Sequence, residues 1–594
     1  MLVFIYNLRF LGYNLGKGVE TMPQDAFHIR RLAHELNTLL VHGKINRISQ
    51  VNKDELTFII YTGKSTVKLI LSANASNARV CLSLTEKEPA PVAPNFCMLL
   101  RKHLQNAEIL AIRQYEFERI VEIDLHCTTD FSQATRTLRC ELMGKYSNII
   151  LTEKGVILGA LKTTALEDSS RRVLLAGAKY EYPVPQDKLS PFDGAGMRSL
   201  LENYLCNRAE EVDAENLASF IFENVAGLAM PTAREIVLRA SKTVGGVKNT
   251  LSSAYGVPLW NFVGDFCENE PCVPCLKTQN GQPVDFFAFL VDGGESMPSL
   301  CKAEDEFYTC RETKKGFDDK KRKLENTARG LKKKQTKKLQ DTLERLNEGA
   351  KADEYRIKGE LLTANLYRVE KGMSGVELEN WYDENGGTVK VALDTTLSPA
   401  QNAQRYFKIY NKHKRATEIL TSILKNEQTE IEYTDSVLAS IANAENALDL
   451  KEIEQELTEM GLLRAPKERV GGKKKEAPLP YREFEYQGFT IYAGRNNIQN
   501  DRLLRDASPD DIWLHTQKYH SSHVIIAVRG GQVRDEIILR AAEICAYYSD
   551  GRDGDKIPVD YCKRKFVKKP NKSKAGFVIY TDYKTILVKP KLFE

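Results

Sequence analysis

Three histidines near the C-terminus, His515, His520 and His523, are spaced as His-x4-His-x2-His, close to the intervals at which imidazoles gather a metal ion. A zinc site needs about four ligands, and this spacing fixes no fourth, so we read the cluster as non-metallic. Cys267, Cys272 and Cys275 raise the same question, the last two as Cys-x-x-Cys. The next cysteines, Cys301 and Cys310, lack a second Cys-x-x-Cys. The following Gly281-Gln-Pro-Val-Asp-Phe-Phe287 points instead to a plain strand of a small hairpin. No metal and no cofactor is expected. A different chemistry is offered by Lys563-Arg-Lys-Phe-Val-Lys-Lys-Pro-Asn-Lys-Ser-Lys574, followed by Gly576-Phe577. Lysines interleaved with aromatics suit a phosphate track, although a bare charge run is usually a solvated face.

The elements that must hold these residues follow from hydrophobic periodicity. Ala26 to Leu40 carries an apolar stripe at three- and four-residue spacing and predicts a helix. Short strands are expected at Ile45–Val51, Glu55–Tyr61, Thr66–Ser72 and Val80–Leu84, then at Ile109–Arg113, Arg119–Leu125, Thr137–Leu142 and Asn148–Thr152. Between the two sets, Asn95 is expected to cap a helix through Leu104. This predicts an α+β domain ending near Tyr182. Residues 195–260 turn helical, and Val225-Ala-Gly-Leu-Ala-Met-Pro-Thr-Ala-Arg-Glu-Ile236 resembles a helix-hairpin-helix, whose Gly turn lets helix N-terminal amides approach a phosphate.

Two long Lys/Glu/Leu-rich segments come next. Asp318 to about Gly372 places Leu324, Leu331, Leu339, Leu343 and Leu346 near heptad spacing; Ala400 to Gly461 carries Tyr406, Ile409, Ile419, Ile423, Ile431, Val437 and Leu438. Joined by Val376–Leu393, which reads as a hairpin turning at Glu384-Asn-Gly-Gly387, they predict an antiparallel coiled coil. A 50-residue helix would project about 75 Å.

The chain has 594 residues, 42% of them hydrophobic and 28% charged, with a formal net charge of +5. Such a length implies several domains. No apolar run approaches the roughly 18 residues of a membrane span. Charge is local: Lys320–Lys338 and Lys563–Lys574 are basic, whereas Glu202–Glu215 and Glu427–Glu459 are acidic, and local patches govern phosphate contacts. The 12 cysteines, mostly unpaired in spacing, fit a reducing cytoplasm. Met1–Thr21 fits nothing downstream. Lys17-Gly18-Val19 can be encoded by a purine-rich ribosome-binding sequence shortly before Met22, so Met22 is the expected start and the preceding segment a disordered, translated leader.

Several words resemble the NFACT family in its bacterial form. They are Gly494-Arg-Asn-Asn497, Gln499-Asn-Asp501, Asp511-Ile-Trp-Leu-His-Thr-Gln517 and Ser522-His-Val-Ile-Ile526, with Phe96-Cys-Met-Leu-Leu-Arg-Lys-His-Leu104, Glu141-Leu-Met-Gly144, Ser147-Asn-Ile-Ile-Leu151 and Asn402-Ala-Gln-Arg-Tyr-Phe-Lys408 upstream. The resemblance spans nearly all of the chain from Met22. It implies an α+β multidomain layout: an NFACT N-terminal domain at 22–182, a helix-hairpin-helix domain at 183–270 and a return segment of the first domain at 271–317. A coiled-coil arm at 318–462 with a middle insertion at 373–398, a basic linker at 463–480 and an RNA-binding domain at 481–594 complete it.

The resemblance also implies a function and its residues. The family's members sit on large ribosomal subunits obstructed by peptidyl-tRNA and recruit tRNA, here alanyl-tRNA, for template-free C-terminal alanine tailing of stalled nascent chains, with an S4-domain protein as a further partner and no membrane. By position, Asp25 and the pair Glu118-Arg119, where the family has Asp-Arg, would handle tRNA, with Arg79 and Arg101 adding phosphate contacts beside Lys102 and His103. Arg495, Asn496, Asn497 and His515 would offer donors to RNA, with His523 beside Trp513 at a core edge and Lys565, Lys568 and Lys569 on the basic loop. Lys332, Lys333, Lys334 and Lys337 would bring the arm to the ribosome. Ser521 replaces a common Gly and would be strained if that position needs a positive φ. No nucleophile is apparent, so the chain is not expected to be an enzyme; peptidyl transfer would belong to ribosomal RNA. Two alternatives stand beside this reading. One is a fibronectin-binding surface adhesin, an activity attached to the family. The other is a nucleic-acid lyase that uses Pro23 as a secondary amine, although Gln24 stands where such lyases carry Glu.

Overall fold

The computed structural model describes residues 24–129, 132–164, 172–206, 213–252, 254, 256–383, 386–463, 479–571 and 573–592. The expected leader Met1–Thr21 and nearly all of the expected linker 463–480 lie outside them. The chain divides between Thr313 and Lys314 into two compact units, mixed α/β in character.

The first unit is built on an antiparallel sheet of nine strands among the described residues. Their spatial order is Arg79–Leu82, Thr66–Ser72, Glu55–Tyr61, Lys44–Asn52, Glu108–Gln114, Ile120–Thr129, Ser132–Glu141, Asn148–Glu153 and Val156–Ala160. Two meanders thus meet where Lys44 lies opposite Glu108. The helix Ala26–Leu40 lays Phe27, Ile29, Leu32, Leu36 and Leu40 into the core, each such burial stabilising by about 1.5–3 kcal/mol. The helices Gly194–Cys206, Ala214–Asn224, Met230–Val244 and Leu259–Asn269 follow, then a three-stranded sheet ordered Gln282–Phe287, Cys275–Gln279, Gly294–Ser296. One hydrophobic cluster runs from Ala26 through Val237 and Phe266 to Cys301, so sheet and helices share a core.

Several boundaries differ from expectation for physical reasons. Helix Asn95–Leu104 has Pro94 at its N-cap with no side-chain bond, so Asn95 is its first residue and not its cap. Arg119 lies in the turn before strand Ile120–Thr129, where Glu116 adopts a positive φ of 46°. The first long helix is Leu300–Ala350 and starts well before Asp318. Its first amides are capped from afar: the Glu35 carboxylate accepts from Leu300 N at 2.8 Å and Cys301 N at 3.1 Å. Glu35 is on the first helix, so local sequence could not announce this start.

In the second unit the remainder of that helix, continued by Ala352–Ala364, runs antiparallel to Pro399–Ala442. The register is read from Lys332 with Asp435 at 2.6 Å, Lys338 with Glu427 at 3.3 Å and Gly359 against the Phe407 ring. Hairpin Gly375–Glu379/Thr388–Ala392 bridges them around Leu361, Leu378 and Val391. The segment expected to be continuous from Ala400 to Gly461 breaks at Asn443. A new helix, Ala447–Glu459, starts where the Asn446 side chain accepts from Leu448 N and Asp449 N.

The C-terminal sheet is antiparallel in the order Arg482–Tyr486, Phe489–Ala493, Val524–Ala527, Ile512–Thr516, Ile557–Lys563, Lys584–Val588. Strand alternation sends Leu514 to one face and Trp513 to the other. Leu514 packs with Ile537, Ala541 and Ile544 of helix Asp535–Tyr547, and Trp513 with Leu503 and Leu504 of helix Asn497–Asp506. Among the described residues no helix is long and apolar enough to cross a membrane. The Asn446 cap yields a direct expectation: Asn446→Ala should destabilise the second unit by about 1 kcal/mol, measured as a lowered urea midpoint with an unchanged denaturant slope.

Candidate nucleic-acid interfaces

In the first unit Asp25 organises the ground around Glu118 and Arg119. Its carboxylate caps the first helix by accepting from His28 N at 2.9 Å, and its other oxygen accepts from Ala229 N at 3.0 Å. Ala229 precedes helix Met230–Val244, so Asp25 occupies the amide end at which a helix-hairpin-helix turn would meet a phosphate. Ala26 N donates to Gly227 O at 2.8 Å, and Gln114 Nε2 donates to both Ala26 O and Glu118 O. The turn at Gly227 and the turn carrying Glu118-Arg119 are therefore held on the same helix end.

Asp25 is only 5% exposed. Glu118 and Arg119 are half-buried. Burial lowers the Arg119 pKa, opposed by the charges of Asp25 and then Glu118. Burial likewise raises that of Glu118 against the pull of Arg119. Arg30 lies over Phe117 and Phe192 at 5.3 and 5.2 Å from the ring centres, adding a cation beside the turn.

Arg79 is placed otherwise than expected. Arg79 is 2% exposed; its guanidinium donates to Glu312 at 2.7 Å and Glu55 at 3.3 Å, while Lys87 bonds the same two carboxylates. It is an internal ion-pair member, not a phosphate contact, because four segments converge on it. Arg101 donates from Nε to Ile48 O at 2.8 Å and from Nη1 to Met98 Sδ; Lys102 is exposed, and His103 is half-buried with its pKa lowered by burial.

In the second unit the motif Gly494-Arg-Asn-Asn497 faces inward. Arg495 pairs with Asp449 at 3.2 Å and donates to Pro480 O. Asn496 caps helix Asn497–Asp506 and donates to Glu452 at 2.8 Å; Asn497 donates to Ser436 at 2.9 Å and Glu456 at 3.0 Å. Arg482 reinforces this clamp by donating to Asn443 O at 2.8 Å and lying over Tyr548. The expectation that these three residues offer donors to RNA is corrected: their donors fasten the C-terminal sheet to helices Pro399–Ala442 and Ala447–Glu459. Burial raises the Glu456 pKa, opposed by the Tyr433 hydroxyl.

Beside the clamp lies a cavity of about 480 Å³, lined by Tyr433, Ser440, His515, His523, Tyr580 and neighbouring residues. His515 lies parallel to Trp513 at 5.7 Å, and His523 stands edge-on to both rings. Burial pushes His515 down to about 4 and His523 well below its ordinary value. Both rings are thus neutral at neutral pH. His523 is 1% exposed and its Nδ1 has no hydrogen-bond partner in the structure. His520 also lines the cavity, but among the described residues no three metal-ligating side chains gather into a site. Ser521 does not have a positive φ, so its replacement of Gly carries no such strain.

Asn500, unremarked by type, positions this site: its Oδ1 accepts from His523 N at 3.1 Å and lies where a Cβ on Gly494 would be. The motif Gln499-Asn-Asp501 was its only signal. Of the basic loop, Lys565 and Lys568 are exposed, and Lys569 pairs with Asp501. On the arm Lys333, Lys334 and Lys337 are exposed, whereas Lys332 pairs with Asp435. Cys267 is buried in a helix, Cys275 in a strand, and Cys272 is exposed.

The structure is that of a mixed α/β protein with a long helical pair, and comparison with known proteins defines its class further. Residues 25–477 match the NFACT N-terminal and middle domains, and residues 480–580 the NFACT protein RNA binding domain. The chain belongs to the NFACT family. It is 34% identical over 580 residues to the Rqc2 homolog RqcH of Bacillus subtilis, covering 96% of this chain and 98% of that one. With the RqcH protein of Streptococcus pneumoniae it shares 32% identity over 584 residues, at 96% and 98% coverage. Among solved structures it is similar to the N-terminal part of the fibronectin/fibrinogen-binding protein from Streptococcus suis, at 28% identity, 48% of this chain, 98% of that chain and a TM-score of 0.39.

Two measurements test this geometry. Gly227 has φ +77°, and a Cβ there would lie 2.8 Å from both Ala26 Cβ and Phe117 O. Gly227→Ala should cost the first unit at least about 2 kcal/mol, read as a lowered unfolding midpoint. For the histidines, the unfolded chain takes up protons below about pH 6.5, whereas folded His515 resists until about 4 and burial holds His523 well below its ordinary value. Stability of the second unit should therefore be full above pH 6.5 and fall as pH drops towards 4. Glu456 acts in the opposite sense, so the informative quantity is the difference between wild type and His515→Gln, whose melting temperature should vary less over that window.

Proposed function

We propose that this chain is a cytoplasmic ribosome quality-control factor. It binds large ribosomal subunits obstructed by peptidyl-tRNA and recruits alanyl-tRNA for template-free C-terminal alanine tailing, with an S4-domain protein as an additional partner. The observation that carries this reading is the identity of about a third, over 96% of the chain, to the two RqcH proteins. The site geometry supports it in a particular way. Glu118 and Arg119 stand on a turn fastened to the helix-hairpin-helix turn through the first helix, a preorganised surface for a structured RNA. An arginine there can fork onto phosphate or a guanine edge, and a neighbouring carboxylate can orient it.

In this reading Asp25 acts as a positioning residue, since both of its oxygens already hold backbone amides. The helical pair is a coiled-coil arm, and its exposed Lys333, Lys334 and Lys337 meet ribosomal RNA. The protein positions tRNA, and ribosomal RNA performs peptidyl transfer, so the chain itself is not an enzyme.

The experiment separates tRNA from subunit binding. Arg119→Ala should abolish tail addition and tRNA recovery while sedimentation with large subunits persists, because loss of one charged contact costs about 1.5–3 kcal/mol. Glu118→Asp should retain tailing. Replacing Lys333, Lys334 and Lys337 together by Glu should instead weaken subunit association at low salt and leave the unfolding midpoint nearly unchanged. Normal tailing by Arg119→Ala would remove the turn from the mechanism.

A further inference from the structure

The cavity of about 480 Å³ in the second unit borders the internal clamp, sharing Arg495, Asn496 and Asn497 with it, and its chemistry is unusual for a basic protein. Its wall combines aromatic surfaces, Tyr433, His515 and Tyr580, with a deeply buried imidazole whose Nδ1 has no partner. An unsatisfied buried polar atom is costly unless something completes it. Both imidazoles are neutral in the folded state and Arg495 in the wall is paired with Asp449, so the interior favours an uncharged, flat, hydrogen-bonding guest over an anion.

The rim is different. Lys518 and Lys574 both line the opening, Lys518 exposed and Lys574 with its ammonium 5.6 Å from the centre of the Tyr433 ring. Phe577, 43% exposed, stands beside them. The loop that brings Lys574 and Phe577 is fixed in place: Gly576 N donates to Asp501 at 3.1 Å, and Gly576 has φ +78° with Asn497 where its Cβ would be. A neutral aromatic interior under a cationic rim matches a base with its flanking phosphates, and the volume lies within the roughly 300–1,000 Å³ of small-ligand sites.

We infer that this cavity receives one unstacked nucleobase of single-stranded RNA, with His523 Nδ1 bonding the base edge and Lys518 and Lys574 holding the adjoining phosphates. The inference rests on the RNA-binding reading of the C-terminal domain and names the form of RNA that the domain selects. A duplex cannot satisfy the site without extruding a base.

The test uses the full chain and three probes of equal length: a fluorescein-labelled 20-nucleotide RNA of mixed sequence, its duplex with the complementary strand, and a strand with abasic ribose at every position. Wild type should bind the based single strand roughly tenfold tighter than the abasic one. Ser440→Trp fills the cavity from a half-buried position whose hydroxyl bonds within its own helix, to Ser436 O. It should reduce that ratio to near one while leaving duplex affinity unchanged, and Lys574→Ala should weaken the based and abasic strands alike. His523→Phe, which keeps a ring and removes both ring nitrogens, should also lower the ratio. Equal binding of based and abasic strands by wild type, or an undiminished ratio in Ser440→Trp, overturns the inference while RNA binding stands. Failure of wild type to bind any of the three overturns the RNA-binding reading as well.

Discussion

Asp25 is where the first unit is joined. One carboxylate caps the first helix through His28 N and closes the Gly227 turn through Ala229 N, while Arg119 feels its charge from the adjacent hairpin. A buried carboxylate is tolerable only when its oxygens are bonded, and here the bonds come from segments about two hundred residues apart in sequence. The consequence is mechanical: the Glu118-Arg119 turn cannot move independently of the helical turn that follows Asn224. Whatever Arg119 contacts is therefore met by a surface whose parts keep their spacing, and preorganisation of that kind reduces the ordering cost of binding.

The second unit uses the same device with the charges reversed. Buried Arg482 and half-buried Arg495 are the cations, and Asp449, Glu445 and the carbonyls of Asn443 and Gly494 receive them. Removing one partner from such a group leaves an uncompensated charge, which is more damaging than replacing the whole group by apolar residues. The break between helices Pro399–Ala442 and Ala447–Glu459 supplies Asn443, Glu445 and Asp449 to this clamp. A continuous helix, as hydrophobic periodicity alone predicts, would not expose the Asn443 carbonyl to Arg482.

What could be read from sequence divides along the range of the interactions. Helix Ala26–Leu40 and strands Glu55–Tyr61 and Thr66–Ser72 follow from local period and turn residues, and they stand where periodicity puts them. The start of the long helix at Leu300 depends on Glu35, and the inward turn of Asn496 and Asn497 depends on Glu452 and Glu456. No window of sequence contains such pairs. Arg79 shows the same limit for site residues: its type suggests phosphate, yet Glu55 and Glu312 arrive from distant strands and helices to neutralise it. Family words located Gly494-Arg-Asn-Asn497 as important without disclosing that its role in this structure is to fasten one part to another.

The net charge of +5 conceals how the second unit distributes its polarity. The acidic run Glu427–Glu459 is largely turned to internal use: Glu427 and Asp435 face lysines of the opposing helix, Asp449 takes Arg495, and Glu452 and Glu456 take the amides of Asn496 and Asn497. Acidic groups engaged in this way lose much of their reach, because their fields are compensated at short range, while exposed charges project a potential over about a Debye length. Lys333, Lys334 and Lys337 on the long helix and Lys565 and Lys568 on the C-terminal loop remain at the surface. The face presented to a polyanion is consequently more basic than the composition, and the contrast arises because the fold consumes carboxylates in its joints. Joint and binding surface are thus coupled: a substitution that frees Asp449 or Glu452 from the clamp adds negative potential beside the loop at the same time as it loosens the sheet.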